Sequence, residues 1–595
     1  MRTSIKQWFL APFIHELPFL CISYFLLLPN VFTAYMKDDL RLGRFLQPFS
    51  CDGIDNSTAL LFAYLLTLVV CMTHNKLVKW ILYALGIITA TIRVFLYISY
   101  KMWITSSALA LLQETNANES REFLQSYVLS TNGALALGFL LFVSGIIVIV
   151  ESQRKRIARF MAKSRLKYLL AIACTAALCL AIYNLKFYTS IYKSKTNEEA
   201  SNLLDKYGYH YTARGHNTVL DLFVAYRLLL LSREEDESVS EFALKFDKEP
   251  AGIPMEDSIT VVYVLGESYI KSHAHLYDYE LPTTPYLDQE KECGNLFVFN
   301  DVIAPFNLTY KVEKNTFFCN SIADGEHWAS SPSFMQLFKK AGFFVGFYDN
   351  QRGGKGFKLE NINGSRIYNK DVARLSYSDI AEHSCQYDAD FIVDVMKKGI
   401  PAASRSLHVY HLMGQHGPAN QRYPQEFNKF KASDIKRHLP FLNNNNKAAI
   451  ADYDNATLYN DYVLHTIIEQ YKDKNAALIY MSDHGEEMFD YRNSAGRAKA
   501  VKGMEAQMAL HQFGVPFVIW LSDSYKAKHP DKVEAVCAAL DRPFMTDNIA
   551  QVLFDLAGLK TQCYKADRDL ISPQFKPRKR IIDDSGSMVC DYDQM

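Results

Sequence analysis

Apolar residues gather into long uninterrupted runs in the first third of the chain and into short runs separated by polar stretches thereafter. Segments 17–36, 80–100, 132–150 and 167–184 approach the roughly 20 apolar residues needed to cross a hydrocarbon core. A fifth segment, 57–73, is shorter but continuous and uncharged. The first is not a cleavable signal, because further spans follow it and no small-residue cleavage site closes it. Orientation follows from the short loops. The run from Glu151 to Arg165 is strongly basic, and short cytoplasmic loops accumulate Lys and Arg. With five spans, Arg2, Lys6 and the loop 74–79 then also fall inside, and everything after Asn184 falls outside.

Beyond the last span comes a connector, 185–257, with an apolar stretch at 219–231 bounded by Arg214 and by the charged run Arg233-Glu-Glu-Asp-Glu. It is too short to cross and reads as an interfacial or bridging helix, with packing on the soluble domain as the alternative. Residues 106–126 read as an amphipathic helix outside the membrane. From 258 the pattern changes. Ser258-Ile-Thr-Val-Val-Tyr-Val-Leu265 is nearly all apolar and rich in β-branched residues, as a parallel strand buried on both faces requires. It ends at Gly266-Glu267-Ser268. Segment 476–481 repeats the arrangement and ends at Ser482-Asp483-His484-Gly485; segments 343–348 and 407–412 end at Asp349-Asn350 and Gly414-Gln415-His416. Ligand sites of open α/β sheets lie outside the carboxyl ends of their strands, so four strands aim polar groups at one crevice. The expected organisation is a five-helix membrane domain (1–184), a connector (185–257) and an α/β catalytic domain (258–595).

Composition alters this picture little. The hydrophobic fraction of 49% hides the split between the two parts, and a length of 595 residues calls for more than one domain. Equal numbers of basic and acidic residues, 64 each, give no support to nucleic-acid binding. Of 11 cysteines, six follow Asn184: Cys293, Cys319, Cys385, Cys537, Cys563 and Cys590. An even number outside the cytoplasm is compatible with disulfides or with free buried thiols, and spacing does not choose between them. Arg93 stands inside the third span, where it either meets a functional partner such as a lipid phosphate or snorkels to the outer surface.

Zinc prefers imidazole nitrogen, carboxylate oxygen and thiolate, and Glu267, Asp483 and His484 supply such donors at strand ends. Four motifs taken together, Gly266-Glu267, His411-Leu-Met-Gly-Gln-His-Gly-Pro418, Tyr453-Asp-Asn-Ala-Thr-Leu-Tyr-Asn-Asp-Tyr462 and Ser482-Asp-His-Gly-Glu-Glu487, closely resemble the lipid A and lipopolysaccharide-core phosphoethanolamine transferases of the alkaline phosphatase and sulfatase superfamily. The likeness includes the five N-terminal spans. It implies an alkaline-phosphatase-like fold, zinc as cofactor, and a threonine nucleophile lying on the metal. The matching segment, Asp301 to Tyr310, puts Thr309 in that position, with Thr316 as the fallback. The resemblance also implies that His416 and His511 bind the phosphoryl group or a second zinc and assist proton transfer, and that Lys355 contacts substrate. His273, His275, His408 and His411 read as structural.

The resemblance thus implies a bacterial inner-membrane enzyme with a periplasmic catalytic domain. It would move phosphoethanolamine from phosphatidylethanolamine, through a covalent threonine intermediate, to lipid A, the lipopolysaccharide core or another envelope glycan. A phosphoglycerol transferase of the lipoteichoic-acid synthase type, a sulfatase-like hydrolase and a catalytically silent membrane receptor are the alternatives. The basic loop generates a direct test of topology. Reporters fused after Asn184 should be active only when exported, and a cytoplasmic signal there would overturn both the orientation and a lipid-donor mechanism.

Overall fold

The computed structural model describes residues 5–28, 51–100, 104, 109, 131–196, 199–200, 203–204, 217–351, 370–381, 385–399, 403–497, 504–584 and 589–595. Apart from Leu109, the segment expected to be amphipathic at 106–126 lies outside them. The chain divides into two compact units, Met1–Glu234 and Glu235–Met595.

The first unit is helical: α1 (Ile5–His15), α2 (Leu17–Leu27), α3 (Cys51–Thr73), α4 (Lys76–Tyr100), α5 (Thr131–Ser152), α6 (Arg154–Lys163) and α7 (Leu166–Lys193). Among the described residues, four helical stretches are long and apolar enough to span, Asn56–Thr73, Lys76–Leu96, Gly133–Ser152 and Leu166–Lys193. The α1–α2 pair makes a fifth if counted as one broken span. Of the first span expected at 17–36, residues 29–36 lie outside the described residues, and α1 precedes the expected start; Pro12 lies inside α1, Pro18 opens α2, and the two meet at 86°. Glu16, buried at that bend, accepts from Lys79 at 2.7 Å and pairs with Arg154. Lys79 also reaches Glu151 at 2.6 Å, and the Tyr83 hydroxyl donates to Glu151 at 2.7 Å. Charges from α4, α5 and α6 thereby neutralise one another at one end of the bundle, as ions withdrawn from water must.

The connector corrects the sequence expectation. α8 (Thr218–Phe246), 29 residues long, does not stop at the charged run but continues through it, because Arg, Glu, Ala, Leu and Lys are all good helix formers. In its first half Leu220, Val224, Leu228 and Leu231 cluster with Phe187 and Ile191 of α7. In its second half Val239, Ala243 and Phe246 join the core of the second unit. Arg93 meets this helix: its Nη2 lies 2.8 Å from Asp221 Oδ2, and its Nη1 donates to Thr218. Arg93 is thus a buried ion-pair member within the first unit.

The second unit is built on a seven-stranded sheet. Its strands are β1 (Ile259–Gly266), β2 (Leu296–Val298), β3 (Phe344–Asp349), β4 (Asp379–Ala381), β5 (Arg405–His411), β6 (Ala476–Ser482) and β7 (Phe517–Leu521), in the order β2-β7-β6-β1-β5-β3-β4. All pairings are parallel except those of β7, which is antiparallel to both neighbours. Every residue of β1 is buried. The strand period of two sends Val261, Tyr263 and Leu265 into one core and Val262 and Val264 into the other. The helices used below are α9 (Pro285–Glu292), α10 (Thr309–Thr316), α11 (Phe334–Lys340), α12 (Asp388–Lys397), α13 (Asn444–Glu469), α14 (Ala506–Phe513) and α15 (Ile549–Leu556). α11 and α15 pack on the first core, while α12 and α13 pack on the second. Register aligns the strand ends: Gly266 pairs with Ser482, Leu265 with His411, and His411 with Asp349. The six cysteines after Asn184 are free thiols.

Asp221→Ala should remove the carboxylate that faces the buried Arg93 guanidinium and destabilise the protein in detergent by about 3–5 kcal/mol. A double variant, Arg93→Met with Asp221→Leu, should recover most of that loss in a denaturant titration. Equal stability of the single variant and the parent would show that the pair does not secure α8.

Candidate active site

The parallel register brings the first residues after β1 and β6 side by side. Glu267 follows Gly266, Asp483 follows Ser482, and the Asp483 N–H donates to the Gly266 carbonyl at 3.0 Å. Glu267, Asp483 and His484 are all fully buried, and one ligand atom from each lies within 4.8 Å of the others. His484 Nε2 is 3.1 Å from Asp483 Oδ2 and 3.5 Å from Glu267 Oε1. Its Nδ1 lies 2.9 Å from the Gly485 carbonyl, an acceptor, so the ring proton belongs on Nδ1 and the Nε2 lone pair faces the carboxylates. Thr309, the first residue of α10, donates its hydroxyl to Glu267 Oε2 at 2.9 Å and lies 3.4 Å from His484 Nε2.

Two glycines permit this proximity. A Cβ at Gly485 would stand 2.0 Å from the His511 carbonyl oxygen. Gly414 has φ +46°, and a Cβ there would fall within 3 Å of the Glu267 backbone. The loop before Thr309 is braced by Asn307, whose amide donates to Gln512 Oε1 at 2.8 Å, while Gln512 donates to Glu487 at 2.7 Å.

Two carboxylates cannot both ionise cheaply in a dry site. Burial, together with the charge of Glu267, pushes the Asp483 carboxyl well up. Glu267 is held below the usual carboxylate range although burial opposes this, because His484, His416 and Arg497 are near. Burial and Arg497 together lower His484 to about 3. Asp483 Oδ2 has no hydrogen-bond partner among the described residues. A buried oxygen without a donor, an imidazole lone pair and a second carboxylate converging on one point form a donor set that suits a divalent cation, and such an ion would hold both carboxylates ionised.

The remaining expected residues distribute unevenly. His416 is half-buried, bonds the Gly417 carbonyl through Nδ1, and is electrostatically coupled to Glu267 and His484. His511 presses its backbone against Gly485, but its ring contacts are with Gln507, Asp490 and Tyr491. Lys355 lies outside the described residues. Thr316 stands at the other end of α10, its buried hydroxyl donated to the Val312 carbonyl. His273 is wedged between Asp454 and Asp490, and His408 is enclosed by Phe344, Tyr348 and Tyr471.

Sequence reasoning missed two members of the site. Arg497 places Nη1 2.7 Å from His484 Nε2 and donates to the Asn307 carbonyl at 3.0 Å. Gln351 donates to Glu267 Oε2 at 3.0 Å. Neither belongs to a motif; Asp349-Asn-Gln351 at a strand end was the only available hint.

With this geometry in place, comparison with known proteins is informative. The sulfatase family model matches residues 259–559, half of the chain, and the chain belongs to that family. Within it, the chain is similar over most of its length to phosphoethanolamine transferases: it is 26% identical to the transferase EptC of Escherichia coli O18:K1:H7 over 519 residues, 84% of this chain and 83% of the relative. The solved C-terminal periplasmic domain of EcEptC from Escherichia coli superposes with a TM-score of 0.51 at 27% identity, covering 58% of this chain and 97% of that one. A complex of the same domain with Zn gives 0.50 at 26% identity, with the same coverage.

Asp483→Ala should leave the circular dichroism spectrum unchanged while weakening divalent-cation binding at least ~100-fold in a calorimetric titration, since it removes one ligand of three. Undiminished binding would move the metal elsewhere.

Proposed function

We propose that this chain transfers phosphoethanolamine from phosphatidylethanolamine to a hydroxyl or phosphate of an envelope glycolipid or glycan, with Thr309 as the covalent carrier. One observation carries the reading: a threonine hydroxyl at a helix start bonds into the Glu267–Asp483–His484 cluster, in a chain whose relatives over 84% of its length are named for this transfer. A helical membrane domain suits a lipid donor, and the reading places the enzyme in the bacterial inner membrane with its catalytic unit in the periplasm.

The donor set fits zinc, which a solved relative contains; Glu267, Asp483 and His484 would hold it beside Thr309, where it would supply Lewis-acid charge and favour the alkoxide. The chain's own groups account for the rest. Thr309 Oγ1 attacks phosphorus, the Oγ1–P bond forms, and the P–O bond to diacylglycerol breaks. Diacylglycerol leaves as its alcohol, carrying the proton that the threonine gave up. In the second half the acceptor oxygen attacks phosphorus, the Oγ1–P bond breaks, and the acceptor's proton returns the threonine to its hydroxyl form. Gln351 steadies Glu267 throughout. Arg497 stands at the centre for phosphoryl oxygens as charge develops, and His416, His511 and Lys355 are assigned to the substrate by the family resemblance.

Incubation of the purified enzyme with phosphatidylethanolamine, acceptor withheld, should leave a phosphoethanolamine ester on the peptide containing Thr309, visible by mass spectrometry. Thr309→Ala should abolish the ester and slow transfer by a factor on the order of 10³ or more, whereas Thr309→Ser should retain some of both. An ester on Thr316 would relocate the nucleophile. Normal transfer by Thr309→Ala with no ester anywhere would end the covalent reading.

A further inference from the structure

Next to Glu267 lies a second buried charged group, which the mechanism above does not use. His411, the last residue of β5, is 2% exposed. Its Nδ1 stands 3.1 Å from Asp349 Oδ1, at the end of β3, and 3.4 Å from Glu313 Oε1. Glu313 is on α10, four residues after Thr309, and so on the same face about one turn along. Asp349 Oδ1 also accepts the Gln351 N–H at 2.7 Å, and the Gln351 amide donates to Glu267 Oε2 at 3.0 Å and to the Leu412 carbonyl at 2.9 Å. Glu267 Oε2 accepts the Thr309 hydroxyl. The contacts therefore close a ring that leaves α10 at Thr309 and returns to it at Glu313. Of the lysines of α10, Lys311 lies 3.7 Å from Asp583 and Lys314 lies 3.8 Å from Glu235 and also draws Glu313 down electrostatically.

The ring holds three buried carboxylates around one imidazole. Burial would discharge His411, but Asp349 and Glu313 outweigh it and push its pKa up to about 10. Burial raises Glu313 to about 7, against the pull of His411. The imidazole thus faces Asp349 and Glu313 through the same nitrogen, Nδ1.

We propose that His411 is a positioning residue for the transfer reaction: by bridging Glu313 to Asp349 it ties the nucleophile's helix to the ends of β3 and β5 and holds the Thr309 hydroxyl against Glu267. The proposal rests on the reading of Thr309 as nucleophile. A displacement of about 1 Å at a reacting atom can cost on the order of 10²-fold in rate, so a clamp one turn away has ample leverage.

The test compares full-length wild type, His411→Gln, Glu313→Gln, the double variant and Thr309→Ala in detergent with phosphatidylethanolamine as donor. His411→Gln should lower kcat ~10–100-fold while KM for the donor and zinc content stay near wild type. Adding Glu313→Gln should recover part of that rate, because the neutral pair no longer strands a carboxylate. A parallel loss of zinc, an unchanged kcat, or strictly additive effects in the double variant would overturn the proposal. Should His411→Gln fail to fold, Glu313→Ala carries the test: kcat should fall at constant KM, and an unchanged kcat refutes the clamp. If Thr309→Ala transfers normally, the nucleophile assignment fails and takes the clamp with it. If Thr309→Ala is inactive while His411→Gln is not slowed, the clamp alone fails.

Discussion

The pairing of β1 with β6 in parallel register, Gly266 opposite Ser482, is the constraint on which the catalytic unit depends. It sets Glu267 and Asp483 next to each other, fully buried, where two carboxylates repel and water cannot screen them. Such a pair persists only if the surrounding fold over-determines it and cationic or hydrogen-bonding groups converge on it. The structure supplies both. The two strands are locked by apolar cores on either face of the sheet, and the Ser268 N–H, the Gln351 amide, the Thr309 hydroxyl and Arg497 surround the carboxylates. The electrostatic stress of the site is the property that would suit it to a divalent cation, because such an ion would relieve the repulsion that the fold imposes.

The same logic recurs in the helical unit with the opposite outcome. There the buried charges, Glu16 with Lys79 and Arg154, Lys79 with Glu151, and Arg93 with Asp221, find partners within the unit. In a low-dielectric surrounding an unpaired ion is costly and a paired one specifies which helices meet. Arg93 and Asp221 fix where α8 begins on the first unit, and the apolar stripe of its second half belongs to the sheet core of the other. One helix is thus part of both hydrophobic clusters.

Local sequence by itself determined a good deal. Long apolar runs declared the helices that are long and apolar enough to span, because crossing hydrocarbon demands apolar length whatever the neighbours are. Mostly apolar runs declared β1, β3, β5 and β6, whose observed bounds fall within two residues of those expected, because a strand buried on both faces carries few polar residues. Glu267, Asp483 and His484 were legible for the same reason: a strand end is a place that sequence marks, and the sheet's geometry brings such ends together. The motif around Thr309 was legible through family likeness alone, since nothing in its local pattern distinguishes it from Thr316.

What only the tertiary structure decided are the contacts between groups that carry no pattern of their own. Gln351 and Arg497 lie 84 and 13 residues from the Glu267 and His484 side chains they touch, and no periodicity announces a side chain whose role depends on where a loop folds back. The bend at Glu16 was equally hidden, because local propensity tolerates several outcomes and buried ion pairing selects among them. His411 shows the limit most plainly. In sequence it is one histidine ending a strand, and only the folded chain sets two carboxylates from other elements beside it. Sequence specifies the elements through the burial each must satisfy, whereas the charge state and reach of a polar side chain are properties of the neighbours that tertiary packing brings to it.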